Sequence, residues 1–241
     1  AFFAIWVKIL VRVPVIYTPH GPHYVDNRGW RYLSGWLFEW CCRLLLDAIL
    51  YVCPGEQEIA RRHQLPMSNS LVVLSGLLQE GASPVPFGER AQSLRAELHI
   101  SDERFLIGWI GRLHRQKGLD LLLESVRIVS ARVPEATWVV IGEGSEEDRQ
   151  RYRVILNTLP QRDRVLFLGG RPDACVLMRD FDLFVSTSRW EGLPLVLLEA
   201  MEQGVPVVAS NVVGNHDVLQ GWGLLFQADD PKAAAEAQIR L

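Results

Sequence analysis

Residues 105–126 read FLIGWIGRLHRQKGLDLLLESV. The opening FLIGWIG is a continuous apolar run, the pattern of a strand covered on both faces. Further on, Leu119, Leu122, Leu123 and Val126 fall at i, i+3, i+4 and i+7, which predicts an amphipathic helix over 118–133 that lays this stripe on a sheet. The stretch between, Gly111 to Gly118, is then a strand-to-helix loop. It carries two cations, Arg112 and Lys117.

Outward from this unit the alternation repeats. Apolar runs at 137–142 (TWVVIG), 165–169 (VLFLG), 182–186 (DLFVS), 206–210 (PVVAS) and 223–226 (GLLF) are separated by helical segments. Six strands with helical crossovers predict an α/β, Rossmann-like doubly wound sheet, in which ligands sit beyond the carboxyl ends of the strands. Upstream, strands are expected at 13–17, 48–53 and 71–74, with an aromatic-rich helix over 30–46, another near 56–63, and a helix at 89–97 leading into the second half. Residues 79–88, with two prolines and two glycines, break the pattern and read as an interdomain linker. The first seventeen residues are interrupted by Lys8, Arg12 and Pro14 and fall short of the ~20 apolar residues of a membrane span. They read as a helix feeding a strand.

The 241 residues carry 25 basic and 28 acidic side chains, a net charge of -3. That excludes the global positive field on which nucleic-acid binders rely, so any anion site is local. Cys41, Cys42, Cys53 and Cys175 form no CxxC pair and no metal-ligand spacing; buried thiols in a reducing compartment, the cytosol, is the plain reading.

Several residues have the chemistry of a ligand site. Arg112 and Lys117 flank a helix start, where free N–H groups and a partial positive charge favour an anion, and two cations there can clamp a diphosphate; two solvated surface cations would read the same way. The segment 188–204, SRWEGLPLVLLEAMEQG, places Glu191 and Glu199 on either side of a second glycine-containing loop, Gly192-Leu193-Pro194, with Pro194 suited to the first helical position. Glu199 stands among apolar neighbours in VLLEAM, where an unpaired carboxylate is costly. Its partner would be a ribose diol or a structural arginine. Glu191 could accept from sugar hydroxyls or face water, and His20, in TPHG after the first strand, projects from a strand end.

Other signals are set aside. His23, His63, His99, His114 and His216 have no partner at metal-ligand spacing. Asp180-Phe181-Asp182 matches a DxD string, yet Asp182 opens a hydrophobic strand instead of ending one. Gly142-Glu143-Gly144 lacks the third glycine of a dinucleotide fingerprint and serves a turn or a close backbone approach.

Taken together, GWIGRLHRQKGLDLLLESV (108–126), VVIGEGSEEDR (139–149), VLFLGGRPD (165–173) and SRWEGLPLVLLEAMEQGVPVVASNVVG (188–214) resemble the retaining glycosyltransferases of family 4, the group 1 GT-B enzymes. The likeness is looser over 13–75, where VIYTPHG looks like the family's histidine loop and Glu39, Asp47 and Glu56 match weaker positions. It implies a GT-B fold of two Rossmann-like doubly wound domains: an incomplete acceptor-side domain at 1–85 and a donor domain at 86–241. It also implies a UDP- or GDP-linked sugar donor whose diphosphate is held by Arg112, Lys117 and the loop Gly192, Leu193 and Pro194, with Glu199 on the ribose. Glu191 and His20 flank the transferred sugar as the catalytic pair. No metal or cofactor is implied. The acceptor is a glycan or lipid-linked glycan, and helix 30–46, rich in tryptophan beside arginines, is either domain core or a contact with the cytoplasmic membrane face.

The family begins with elements that should precede Ala1, and its terminal helices lie beyond Leu241, so weak or no transfer is expected of the chain by itself. Three alternatives remain open at this point: another GT-B activity such as a sugar-nucleotide epimerase, a nicotinamide-dependent oxidoreductase on the same sheet, and a non-catalytic nucleotide-sugar-binding module.

Overall fold

The computed structural model describes residues 2–21, 29–74, 76 and 93–241; His23 and the linker at 79–88 lie outside them. The chain divides into two compact units, Ala1–Ser75 with Glu191–Leu193, and Gly76–Trp190 with Pro194–Leu241. The short segment Glu191–Leu193, which its sequence position assigns to the second domain, thus packs with the first.

In the first unit the order is α1 (Phe2–Val11), β1 (Ile16–Tyr17), α2 (Trp30–Leu45), β2 (Ala48–Tyr51), α3 (Pro54–Arg62) and β3 (Ser70–Val72). The strands form a parallel sheet ordered β1-β2-β3. β1 is two residues long where five were expected, because the Val15 amide donates to the Asp47 carboxylate at 2.7 Å instead of to a strand. β2 ends at Tyr51 for a related reason: the next amide, Val52 N, donates to Glu56 at 3.3 Å. Helix α2 is core on one side only. Tyr32, Trp36 and Trp40 pack against the buried cluster of Ile49, Tyr51, Ala60 and Leu65, while Trp30, Leu33, Leu37 and Leu44 are exposed. No helix among the described residues is long and apolar enough to cross a membrane.

The second unit runs α4 (Leu94–Glu97), β4 (Phe105–Ile110), α5 (Leu119–Arg132), β5 (Ala136–Ile141), α6 (Glu146–Asn157), β6 (Val165–Gly169), α7 (Ala174–Leu177), β7 (Leu183–Ser186), α8 (Leu195–Glu202), β8 (Val207–Ser210), α9 (Val213–Leu219), β9 (Leu224–Phe226) and α10 (Pro231–Arg240). Its six strands are all parallel, in the order β6-β5-β4-β7-β8-β9. Counted within the unit this is 3-2-1-4-5-6, the doubly wound order, and it switches direction between β4 and β7.

Side chains alternate across each strand. Ile107 and Trp109 face α5, α6 and α10 with Trp138 and Val185, whereas Leu106, Val139 and Phe184 face α4, α7, α8 and α9. The predicted stripe Leu119, Leu122, Leu123 and Val126 is fully buried in the first of these cores. Gly108 falls on the second face, where a Cβ would come within 2.0 Å of the Phe181 ring.

Candidate functional site

Two loops leave the carboxyl ends of β4 and β7, on either side of the switch in strand order. The first, residues 111–118, contains a short 3-10 turn at Arg115–Lys117, capped by His114 Nδ1, which accepts from Gln116 N at 3.2 Å. The turn closes on Gly118 at φ 62°, where a Cβ would lie 2.1 Å from the Thr187 carbonyl oxygen. Glycine is therefore required both by the left-handed backbone and by the approach of the second loop. Arg112 is exposed and has no side-chain partner among the described residues. Lys117 is half-buried in the same loop.

The second loop follows β7 and is stitched to the first. Trp109 Nε1 donates to Thr187 Oγ1 at 3.1 Å, and that hydroxyl donates to the Lys117 carbonyl at 3.0 Å. Arg189 N donates to the Gln116 carbonyl at 2.7 Å, and Gln116 Nε2 returns a bond to Trp190 O at 3.0 Å. Ser210 Oγ donates to Ser188 O, and Asn215 Nδ2 to Ser210 O at 2.9 Å.

Pro194 stands immediately before the first turn of α8 instead of within it. It has no N–H to offer, so the free donors of that helix end begin at Leu195. Glu199 lies one turn into α8. Burial, followed by the neighbouring Glu202 charge, raises its carboxyl above the ordinary value, and it has no cation or hydrogen-bond donor among the described residues. The same burial, with Glu199 and Glu202 nearby, pushes the Cys175 thiol up to about 11.

The sign of the Glu199 shift sets a testable expectation. A carboxyl whose folded pKa exceeds its unfolded one destabilises the fold when ionised, and the penalty is absent below the ordinary value near ~4.3. Glu199→Gln is therefore expected to raise the Tm of the ligand-free chain at pH 7. The gain should shrink as pH falls through the elevated pKa, and a thermal melt series from pH 8 to pH 4 measures it.

In the first unit, Glu56 near the start of α3 accepts from the Gly21 amide and from Val52 N. His20 is exposed beside that amide. Gly192 packs here: Cys53 Sγ donates to its carbonyl at 3.4 Å, and an added Cβ would lie 2.8 Å from a Glu56 oxygen and 3.2 Å from Gly21 N. Glu191 is buried at 7% exposure, and Leu193 is half-buried. The structure thus gathers His20, Gly21, Glu56 and Gly192 in one unit, and Arg112, Lys117, Pro194 and Glu199 in the other.

Two signals set aside from sequence have structural explanations. Asp180 accepts from Leu94 N. Asp182 accepts from Leu106 N and from Arg95 at 2.6 Å each, at the amino end of β7. Gly142 and Gly144 face backbone of the loop after β4, where added Cβ atoms would lie 1.8 Å from Gly111 O and 2.4 Å from Leu113 O; the pair admits the close approach of that loop. Among the described residues no three His, Cys, Asp or Glu side chains are placed to share a metal ion. Of the four cysteines only Cys42 and Cys53 are buried; Cys41 and Cys175 are half-buried. What sequence reading passed over is the Arg189–Asp120 pair, although Arg189 stands inside the SRWEG string.

A parallel 3-2-1-4-5-6 sheet with paired loops at its switch, preceded by a second parallel α/β unit, defines a GT-B-type α/β protein. The model of the family described as glycosyl transferases group 1 matches residues 104–241, and the chain belongs to that family. Among curated proteins, the lipopolysaccharide core biosynthesis mannosyltransferase LpsB of Rhizobium meliloti is 34% identical over 175 residues, covering 69% of this chain and 48% of the relative. The UDP-Gal:alpha-D-GlcNAc-diphosphoundecaprenol alpha-1,3-galactosyltransferase of Escherichia coli is 27% identical over 182 residues, covering 73% and 46%. The chain spans about half the length of these relatives. Among solved structures, Anabaena HepE in complex with UDP superposes with a TM-score of 0.79 over 98% of this chain and 64% of its own, at 20% identity. WaaG, a glycosyltransferase involved in lipopolysaccharide biosynthesis, superposes at 0.73 over 95% and 66%, at 17% identity. These two likenesses speak for the fold.

Proposed function

We propose that the chain binds the nucleoside-diphosphate part of a sugar donor. The activity it serves is transfer of that sugar, with retained anomeric configuration and without a metal, to a glycan or lipid-linked glycan. The observation that carries this reading is Glu199, a half-buried carboxylate with no partner among the described residues. A ribose diol donates two hydrogen bonds and relieves the desolvation that an unpaired carboxylate suffers. Arg112, exposed and without a side-chain partner among the described residues, and Lys117 neutralise the diphosphate, a charge that a metal neutralises elsewhere. The family resemblance adds Gly192, Leu193 and Pro194 to the residues proposed for the diphosphate, and His20 and Glu191 to those proposed for the transferred sugar.

HepE has been solved with UDP, which supports a uridine nucleotide as the first probe, with GDP-sugars next. The exposed apolar side of α2, with Trp30 and Leu37, supports a contact with the cytoplasmic membrane face, where a lipid-linked acceptor would be met.

Calorimetry with UDP-, GDP- and ADP-sugars in EDTA tests the donor site. One nucleotide is expected to bind, and Arg112→Ala and Glu199→Ala each to weaken it by ~1.5 to 3 kcal/mol, roughly ten- to a hundredfold. Binding that neither substitution weakens, or binding of NAD in place of every nucleotide-sugar, would sink the reading.

A further inference from the structure

We propose that Arg189 is the positioning residue of this donor site: its guanidinium locks the loop that carries Arg112 and Lys117 to the loop that runs on to Glu191. The inference rests on the donor-site reading above and adds the element that would hold the site in shape.

Arg189 makes four side-chain hydrogen bonds. Its Nη1 donates to Asp120 Oδ1 at 2.9 Å and to the Arg115 carbonyl at 2.8 Å, its Nη2 to Asp120 Oδ2 at 2.9 Å, and its Nε to Asp229 Oδ1 at 2.7 Å. With four of five N–H groups spent on protein, it acts through other residues and not on a ligand. The partners come from three places: the turn at Arg115–Lys117, the first turn of α5 at Asp120, and the segment after β9 at Asp229. One fork therefore sets all three against the loop after β7. A lysine could not do this, since it offers a point charge where two parallel bonds are needed.

The energetics also favour a positioning role. Arg189 and Asp120 side chains are 12% and 11% exposed. At that depth the desolvation of two charges consumes much of their attraction, and a neutral pair of similar size is often as stable. Stability alone gives little reason for the pair. Geometry gives one, because a binding constellation loses strength when its supporting groups are misplaced by as little as about 1 Å.

The full chain carrying Arg189→Met with Asp120→Asn removes the fork without stranding a buried charge, since Asp229 and Arg151, which lose a partner, are exposed. This variant is expected to unfold cooperatively near the wild-type temperature. Amide exchange at Lys117 and Gly118 should quicken about tenfold or more, and UDP or GDP, whichever binds the wild type, should bind about tenfold or more weakly. Arg112→Ala should then cost less affinity in this background than in the wild type, the mark of coupled residues. Arg189→Lys should resemble Arg189→Met, because the charge without the fork does not restore the geometry.

A folded variant whose Lys117 and Gly118 amides exchange as slowly as before overturns the proposal, as does one that keeps wild-type nucleotide affinity, or full rescue by Arg189→Lys. If the wild type binds neither nucleotide, the donor-site reading fails, and amide exchange still decides whether Arg189 holds the loop.

Discussion

Gly142→Ala lowers stability by about 3 to 5 kcal/mol, a large part of the ~5 to 15 kcal/mol that holds a domain folded. Gly142 follows β5 at φ 153°, a region that other residues rarely enter. A Cβ would lie 1.8 Å from Gly111 O and 2.8 Å from Gly111 C. Both are backbone atoms, so no side chain can swing aside. The surroundings are tied as well: Gly111 N donates to Ile141 O at 3.0 Å, Leu113 N to Glu143 O at 2.7 Å, and Gly142 N to Gly169 O at 2.8 Å. Relief would require the loop bearing Arg112 to move off the sheet, so nucleotide affinity should fall along with stability. Gly204→Ala is the control. It too has positive φ, 71°, but nothing lies within 4 Å of its added Cβ, and the expected loss is only about 1 kcal/mol. Urea unfolding of the two variants measures both numbers; equal losses would mean that the loops are not packed as described.

Asp120→Ala ranks second, at about 2 to 4 kcal/mol, because it strips a mostly buried guanidinium of its bidentate partner and leaves it only Asp229 and a carbonyl. Burial pushes the Asp120 carboxyl up, but the Arg189 hydrogen bonds and charge, helped by Arg151, outweigh this and hold it below the ordinary range. A depressed carboxyl contributes stability that is fully present above the unfolded value near ~3.9 and is lost as pH falls through the folded one. The gap between wild type and variant should therefore be constant from pH 7 to about 4 and close below that. Arg151, Tyr152, Asp148 and Asp229 share the same surroundings; of these Asp229 alone keeps its ion pair with Arg189, and Arg151 loses its own contact with Asp120. Chemical denaturation at pH 7, 4 and 2.5 gives the profile.

Much of the fold was legible in the second half because its four central strands are buried on both faces and its edge strands are apolar as well. FLIGWI, TWVVI and VLFLG are apolar runs with no second interpretation of their length, and the observed ends fall within a residue or so of those read from the sequence. The first half was less legible for a specific reason. Side chains of Asp47 and Glu56 take backbone amides that a strand would otherwise use, and composition does not reveal which carboxylate captures which amide. Pro194 shows the same limit on a smaller scale: its preference for a first helical turn is real, yet the turn begins at Leu195.

At the candidate site the residue types were readable and their partnerships were not. Arg112, Lys117 and Glu199 stood out as charges where a ligand could sit, and each could equally have been spent on a neighbour. Three-dimensional packing distinguishes them: Arg112 and Glu199 have no partner among the described residues, while Arg189, one residue among many arginines in the sequence, is committed to Asp120 across 69 positions.

By itself the sequence determined the alternation of strands and helices and the glycine-bearing loops at strand ends, because these follow from local periodicity and backbone freedom, while the family was carried by the resemblance of its motifs. The order 3-2-1-4-5-6, the stitching of the loops after β4 and β7, the grouping of Glu191–Leu193 with the first unit and the clamp at Arg189 were decided only by tertiary structure. Each depends on groups far apart in the chain meeting in space, where burial makes every unpaired charge and every extra atom count.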